Sequence, residues 1–153
     1  MVAGQTELHE RRGRTFELID HMLRERNQLL SLLLQASRAG SSDTPEYDRD
    51  IITEFCQVLV DYIAAGHFGL YERIIEGRER RKAVADLAVK IFPQIEKTAG
   101  IALAFDEKYN PARDEIDLSS FQLDLSNLGE ELATRIELED QLIALLQRGR
   151  SPY

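Results

Sequence analysis

Toward the end of the chain, Leu118, Phe121, Leu125, Leu128, Leu132, Leu142 and Leu146 recur at steps of three and four residues on a seven-residue rhythm. A stripe of that length predicts one helix over roughly Leu118–Gln147, about eight turns at 3.6 residues each. Carried through the gap between Leu132 and Leu142, the rhythm lands on Arg135 and Glu139. These two are four residues apart and share a side of the helix. Charged residues therefore stand where packing calls for apolar ones, an arrangement that is costly to bury unless the charges are paired.

The same periodicity organises the rest of the chain. Thr6–Ser37 reads as one long helix with Phe16, Ile19, Leu23, Leu30 and Leu33 inward, and Arg26 falls on that stripe where a leucine would be expected. After the loop at Arg38–Asp43, Thr44-Pro45 reads as an N-cap followed by a first-turn proline. The second helix runs to about Ala65 on the stripe Ile52, Phe55, Leu59, Tyr62 and Gly66, with Glu54, Val58, Asp61 and Ala65 on a neighbouring stripe. Ala83–Tyr109 is helical again, with Leu87, Ile91, Ile95, Ala102 and Phe105 inward. Pro93 predicts a kink or a new start within it, and Asn110-Pro111 ends it. No strand alternation or hairpin signal is present. The expectation is an all-α, single-domain, up-and-down helical bundle with an ordered core over about residues 6–148 and frayed tails.

One stretch departs from regular helix. In Phe55–Ile75 the pattern is interrupted at Gly66-His67-Phe68-Gly69 and resumes with Tyr71-Glu72-Arg73. Glycine inside a helix is about 1 kcal/mol less favourable than alanine. Two of them three residues apart predict a C-cap and restart, or a place where something packs close to the backbone. On the first alternative the central helix is broken, Phe68–Glu76 forms a short third helix, and His67 caps the carbonyls that end the second. On either, Phe68 is a core residue or an apolar anchor beside Asp61, Ala65 and Glu72.

The net charge of −8 and the pI near 4.9 would repel DNA and anionic membrane and attract a basic partner, although acidity by itself reads first as simple solubility. The absence of tryptophan argues against a stacking platform for single-stranded nucleic acid. The single cysteine, Cys56, lies in an apolar helix and reads as a buried thiol. No apolar signal segment precedes residue 15, and the cluster at Leu29–Leu34 is too short to span a bilayer, so the expected location is cytoplasmic. No Glu precedes His9, His21 or His67 by three residues, as a carboxylate-bridged metal site in a bundle would need. No phosphate loop, Cys pair or nucleophile elbow is present, so no cofactor and no catalytic residue is assigned. The basic cluster Gly77–Lys82 reads as a solvated turn. Arg26, Arg135 and Glu139 form an internal polar network or, alternatively, line a pocket through which a helical-bundle sensor binds a small anionic ligand. Those same polar residues limit any coiled-coil seam on the last helix, so a monomer or weak homodimer is expected.

The segment FCQVLVDYIAAGHFGLYERI at 55–74, with LIDHMLRERNQLL at 18–30, KIFPQIEKT at 90–98 and RIELEDQLI at 135–143, resembles the Rsd/AlgQ family of bacterial anti-sigma regulators across most of the chain. Met22 and Phe92 stand where members of that family often carry tryptophan. The resemblance implies a non-enzymatic, cytoplasmic, helical protein. Its partner would be the primary sigma factor of RNA polymerase, bound at the C-terminal promoter-reading domain and kept from polymerase and promoter. Alternative sigma factors would be favoured in stationary phase. Carried onto matching positions, it implies Asp61, Ala65, His67, Phe68 and Glu72 as partner-facing. Asp20, Arg26, Arg135 and Glu139 go to the internal network.

Overall fold

Periodic apolar stripes can be buried only against one another, and four long helices do so here. In the computed structural model, residues 2–39, 45–75, 81–112 and 117–148 are described, and side chains within residues 13–39, 48–72, 74, 81–112 and 117–148. Helix α1 spans Val2–Ala36 and α2 spans Pro45–Gly66. A π-helical turn, His67–Tyr71, and a last turn α3, Glu72–Ile75, continue α2. Helices α4, Lys82–Tyr109, and α5, Phe121–Leu146, complete the order. Among the described residues there is no strand, and no helix is long and apolar enough to cross a membrane.

The helices run up and down in sequence, and polar contacts at their ends fix the pairing. Arg49 near the start of α2 donates to the carbonyl of Pro111 just beyond α4 (3.3 Å), and Arg81 at the start of α4 donates to the carbonyl of Leu146 at the end of α5 (3.1 Å). Gln122 at the start of α5 donates to the carbonyl of Ala39 just past α1 (2.7 Å). Helix α1 packs on α2, α2 on α4, and α4 on α5, while the π turn packs on α1.

The α5 rhythm is buried throughout: Phe121, Leu125, Leu128, Leu132, Leu142 and Leu146 line the core, with Arg135 and Glu139 fully enclosed among them. Leu118 lies outside the helix and is partly exposed. The α2 stripe from Ile52 to Gly66 is also buried. At the far end of the bundle, Phe55, Phe105, Tyr109 and Phe121 interlock with ring centroids 4.8–5.9 Å apart.

One expectation is corrected, and two that left alternatives open are narrowed. In α1 the buried stripe is Ile19, Met22, Arg26, Leu29, Leu32 and Ala36, so Met22 and Leu29 take the inward places assigned to Leu23 and Leu30, and Leu30 is 41% exposed. Helix α4 makes no new start at Pro93. Pro93 and Val89 both face solvent, where water can take the carbonyl that the missing N–H leaves unpaired. The central helix is interrupted where expected, at 67–71, but by a π turn and not by a C-cap and restart. Gly66 is right-handed helical (φ −66°, ψ −51°), and the chain passes into the π turn, closed by the Glu72 N–H donating to the His67 carbonyl. No helix end exists there for His67 to cap. The loop at 40–44, with Thr44, and most of the basic cluster at 77–82 lie outside the described residues.

Candidate functional site

The π turn carries two sets of side chains on one backbone. Asp61, Ala65, Phe68 and Glu72 follow at steps of four, three and four and share the outer face. Tyr62, Gly66 and Tyr71 beside them point into the bundle.

The inner set meets a polar layer tying all four long helices. Glu139 of α5 is the hub. Its Oε1 accepts from Arg26 Nη2 of α1 (3.1 Å) and from the Tyr62 hydroxyl of α2, and its Oε2 accepts from Arg135 Nε (3.1 Å). Arg26 also donates to Asp140 Oδ1 (2.6 Å), at the solvent edge of the layer. Arg135 Nη1 reaches α4, donating to the Ile95 carbonyl (3.1 Å) and to Thr98 Oγ1 (3.0 Å). The Arg135 guanidinium carbon lies 5.8 Å from the Tyr62 ring centre and 5.9 Å from that of Tyr71. Charge, hydrogen bonds and cation–π contact thus act together on a side chain with no solvent exposure.

Burial and charge in this layer shift the titration of Tyr62, Tyr71 and Arg26. Burial, followed by the negative charge of Glu139, pushes both the Tyr62 and the Tyr71 hydroxyl well above the ordinary tyrosine value near 10. Burial alone would lower the Arg26 guanidinium, but Tyr62, Asp140 and Glu139 outweigh it and raise it further. Glu139 accepts from three donors, two on Oε1 and one on Oε2, so most of its roughly four acceptor directions are already taken up within the layer. It also fills the place between Arg26 and Arg135 that an anionic ligand would take.

Sequence reasoning placed Arg26, Arg135 and Glu139 on core stripes, and the fold brings those three into direct contact. Asp20 is half-buried on α1. Tyr62, read as a core residue, contributes its hydroxyl to the layer, and Thr98 and Asp140 join it. For Asp140 the only signal was adjacency to Glu139.

The outer set forms a ridge. Asp61 is exposed, and Gln57 Nε2, one turn earlier, donates to its Oδ1 (3.1 Å), limiting the directions the carboxylate can take. Phe68 is 67% exposed and is the one aromatic among the large apolar side chains open to solvent in the described residues. The half-buried His67 ring stacks edge-to-face on Phe68 at 4.8 Å, and Ala65 and Glu72 are half-buried on the flanks. Glu54 continues the acidic face along α2. An exposed aromatic propped by a neighbour and rimmed by carboxylates suits a protein contact, in which a few apolar anchors supply affinity and a charged rim supplies steering.

Comparison with known proteins gives this geometry a context. Residues 1–147 match the family model described as "Regulator of RNA polymerase sigma(70) subunit, Rsd/AlgQ". The chain is 39% identical over 141 residues to the "Regulator of sigma D" of Enterobacter sp. (strain 638), covering 90% of this chain and 85% of that protein. It is 37% identical over 142 residues to the proteins of that name from Shigella dysenteriae serotype 1 and Escherichia coli O1:K1, covering 91% of this chain and 89% of each.

Proposed function

Because the chain belongs to the Rsd/AlgQ family of regulators of the RNA polymerase sigma(70) subunit, we propose that it is an anti-sigma factor for the primary sigma factor, which it binds at the C-terminal promoter-reading domain. The ridge of Asp61, Ala65, His67, Phe68 and Glu72 is the docking surface, and the protein acts by occupancy rather than catalysis. A promoter-reading domain is basic because it docks on DNA phosphates. A protein with net charge −8 is attracted to that face, competes with DNA for it and has no tendency of its own to bind the duplex. Withholding the primary sigma factor in the cytoplasm, above all in stationary phase, leaves core polymerase to alternative sigma factors.

The observation that carries this function is the 67% exposure of Phe68 on an acidic face. Leaving a phenylalanine in water rather than burying it forgoes about 1.5–3 kcal/mol. With 67% of Phe68 exposed, docking recovers at most about two-thirds of that, ~1–2 kcal/mol, and ring contacts with the partner add to it toward hot-spot size. Asp61, held by Gln57, pairs with an arginine or lysine of the sigma domain, and long-range attraction speeds the encounter.

Titration of the sigma factor's C-terminal domain at several salt concentrations tests the assignment. Wild-type affinity falls as salt rises, because the steering charges are screened. Asp61→Lys weakens binding at low salt and flattens the salt dependence, with helix content unchanged. An Asp61→Lys protein that binds as tightly as wild type at low salt removes this surface from the account.

A further inference from the structure

The ridge is built on a π turn, and π turns are rare because their hydrogen bonding is poorer than that of an α-helix. One persists where surrounding packing imposes it. Two close approaches do so here. A β-carbon on Gly66 would stand 3.0 Å from Arg135 Nη2, 3.4 Å from the Tyr71 ring and 3.5 Å from Glu139 Oε2. A β-carbon on Gly69 would meet Leu18 Cδ2 at 3.3 Å, so α1 closes on the turn from another side. The backbone of Gly66 is ordinary right-handed helix that any residue adopts, so the position needs glycine for space and not for conformation.

The guanidinium that fills this space has little freedom to retreat. It is planar, and its Nε and Nη1 are bonded to Glu139, Ile95 and Thr98, which together fix the direction of Nη2. Among the described residues Nη2 has no hydrogen-bond partner, although it is buried. Its position follows from the bonds of the other two nitrogens, and its effect on the turn is steric. If the wide turn moved one place along the helix, the residue it passed would rotate by roughly 100° about the axis. Phe68 would then leave the face it shares with Asp61.

We propose that Gly66 and Arg135 are positioning residues for docking: the close fit between the side chain at 135 and the space left at 66 holds the π turn, and the turn aims His67 and Phe68 at the partner. The consequence for binding rests on the sigma-factor function proposed above. The consequence for the turn does not.

The test compares wild type with Gly66→Ala, Arg135→Lys and the double variant. Two readouts are taken: the backbone amide resonances of residues 66–72 in the free protein, and affinity for the sigma factor's C-terminal domain. Gly66→Ala is expected to shift those resonances and weaken binding roughly tenfold, a partial loss of one anchor. Lysine lacks the second terminal nitrogen that the new methyl group would meet. Arg135→Lys in the Gly66→Ala background therefore returns the resonances toward wild type and restores affinity to within about threefold. This rescue separates positioning from general destabilisation, since two independent structural losses would add. Unmoved resonances in Gly66→Ala, or a double variant further from wild type than Gly66→Ala, overturns the proposal. If Gly66→Ala does not fold, a folded double variant supports it and an unfolded one overturns it. If wild type does not bind the sigma domain, the docking function fails, and the amide rescue alone decides whether Arg135 holds the turn.

Discussion

Replacing Glu139 by glutamine keeps the shape of the side chain and removes the one fully buried negative charge of the polar layer. Glu139 accepts from Arg26 Nη2, Tyr62 Oη and Arg135 Nε, and its side chain has no solvent exposure. After the change Arg26 retains Asp140, which is 57% exposed, but Arg135 loses its anionic partner and is left with neutral groups, among them the Ile95 carbonyl, the Thr98 hydroxyl and the rings of Tyr62 and Tyr71. The new amide NH2 must also face one of the two guanidinium groups, donor against donor. Stranding one member of a buried ion pair costs about 3–5 kcal/mol, a large part of the roughly 5–15 kcal/mol that holds a domain together. At about 2–4 °C per kcal/mol for a chain of this size, the melting temperature of Glu139→Gln falls by roughly 6–20 °C. Thermal melts followed by circular dichroism measure this, with urea unfolding to check that the slope with denaturant is unchanged. A fall of less than about 3 °C would mean that the layer contributes little net pairing and would refute the reasoning. Replacing the whole layer, with Arg26→Met, Arg135→Met and Glu139→Leu together, is expected to leave stability equal or up to about 4 kcal/mol higher. The layer's contribution would then lie in fixing helix register and the π turn rather than in stability.

Phe68→Ala separates binding from folding. The side chain is 67% exposed, so stability should stay within about 0.5 kcal/mol of wild type. Affinity for the sigma domain should fall by about 2 kcal/mol or more, which melting and isothermal titration check side by side. High pH acts on the buried tyrosines. Tyr62 and Tyr71 have hydroxyls raised above their ordinary value of 10.0, chiefly by burial, so the fold favours their neutral forms. That stability is complete below about pH 10, where unfolded tyrosine is also neutral, and is lost as pH rises above it. Tyrosinate absorbance from these two should therefore appear together with loss of helical signal. Ionisation of every tyrosine at ordinary values with the helices intact would contradict their burial.

The bundle and its charged layer were legible where periodicity was strict. On α5 the seven-residue rhythm carried Arg135 and Glu139 to their buried positions, because on a straight helix phase alone determines facing. On α1 the run Leu29-Leu30 and the triplet Leu32-Leu33-Leu34 offer two phases of similar apolarity, and only packing against α2 selects the one that buries Met22 and Leu29. The π turn was legible as an irregularity and not as a type. Local propensity reads Gly66 as a helix end, yet the group that demands glycine there is Arg135, 69 positions later in the chain. The partnership of Tyr62 and Asp140 with Glu139 and Arg26 had no periodic signature, since hydrogen-bond reach depends on how far apart α1, α2 and α5 sit.

Hydrogen exchange of the protein with and without the sigma factor's C-terminal domain tests the docking surface most directly. Binding through the ridge predicts added protection concentrated at the end of α2 and in the π turn, over residues 57–72, with α4 from Val89 to Leu103 unchanged. Protection centred on α4 or on the outer face of α1, with the ridge exchanging as in the free protein, would contradict the account.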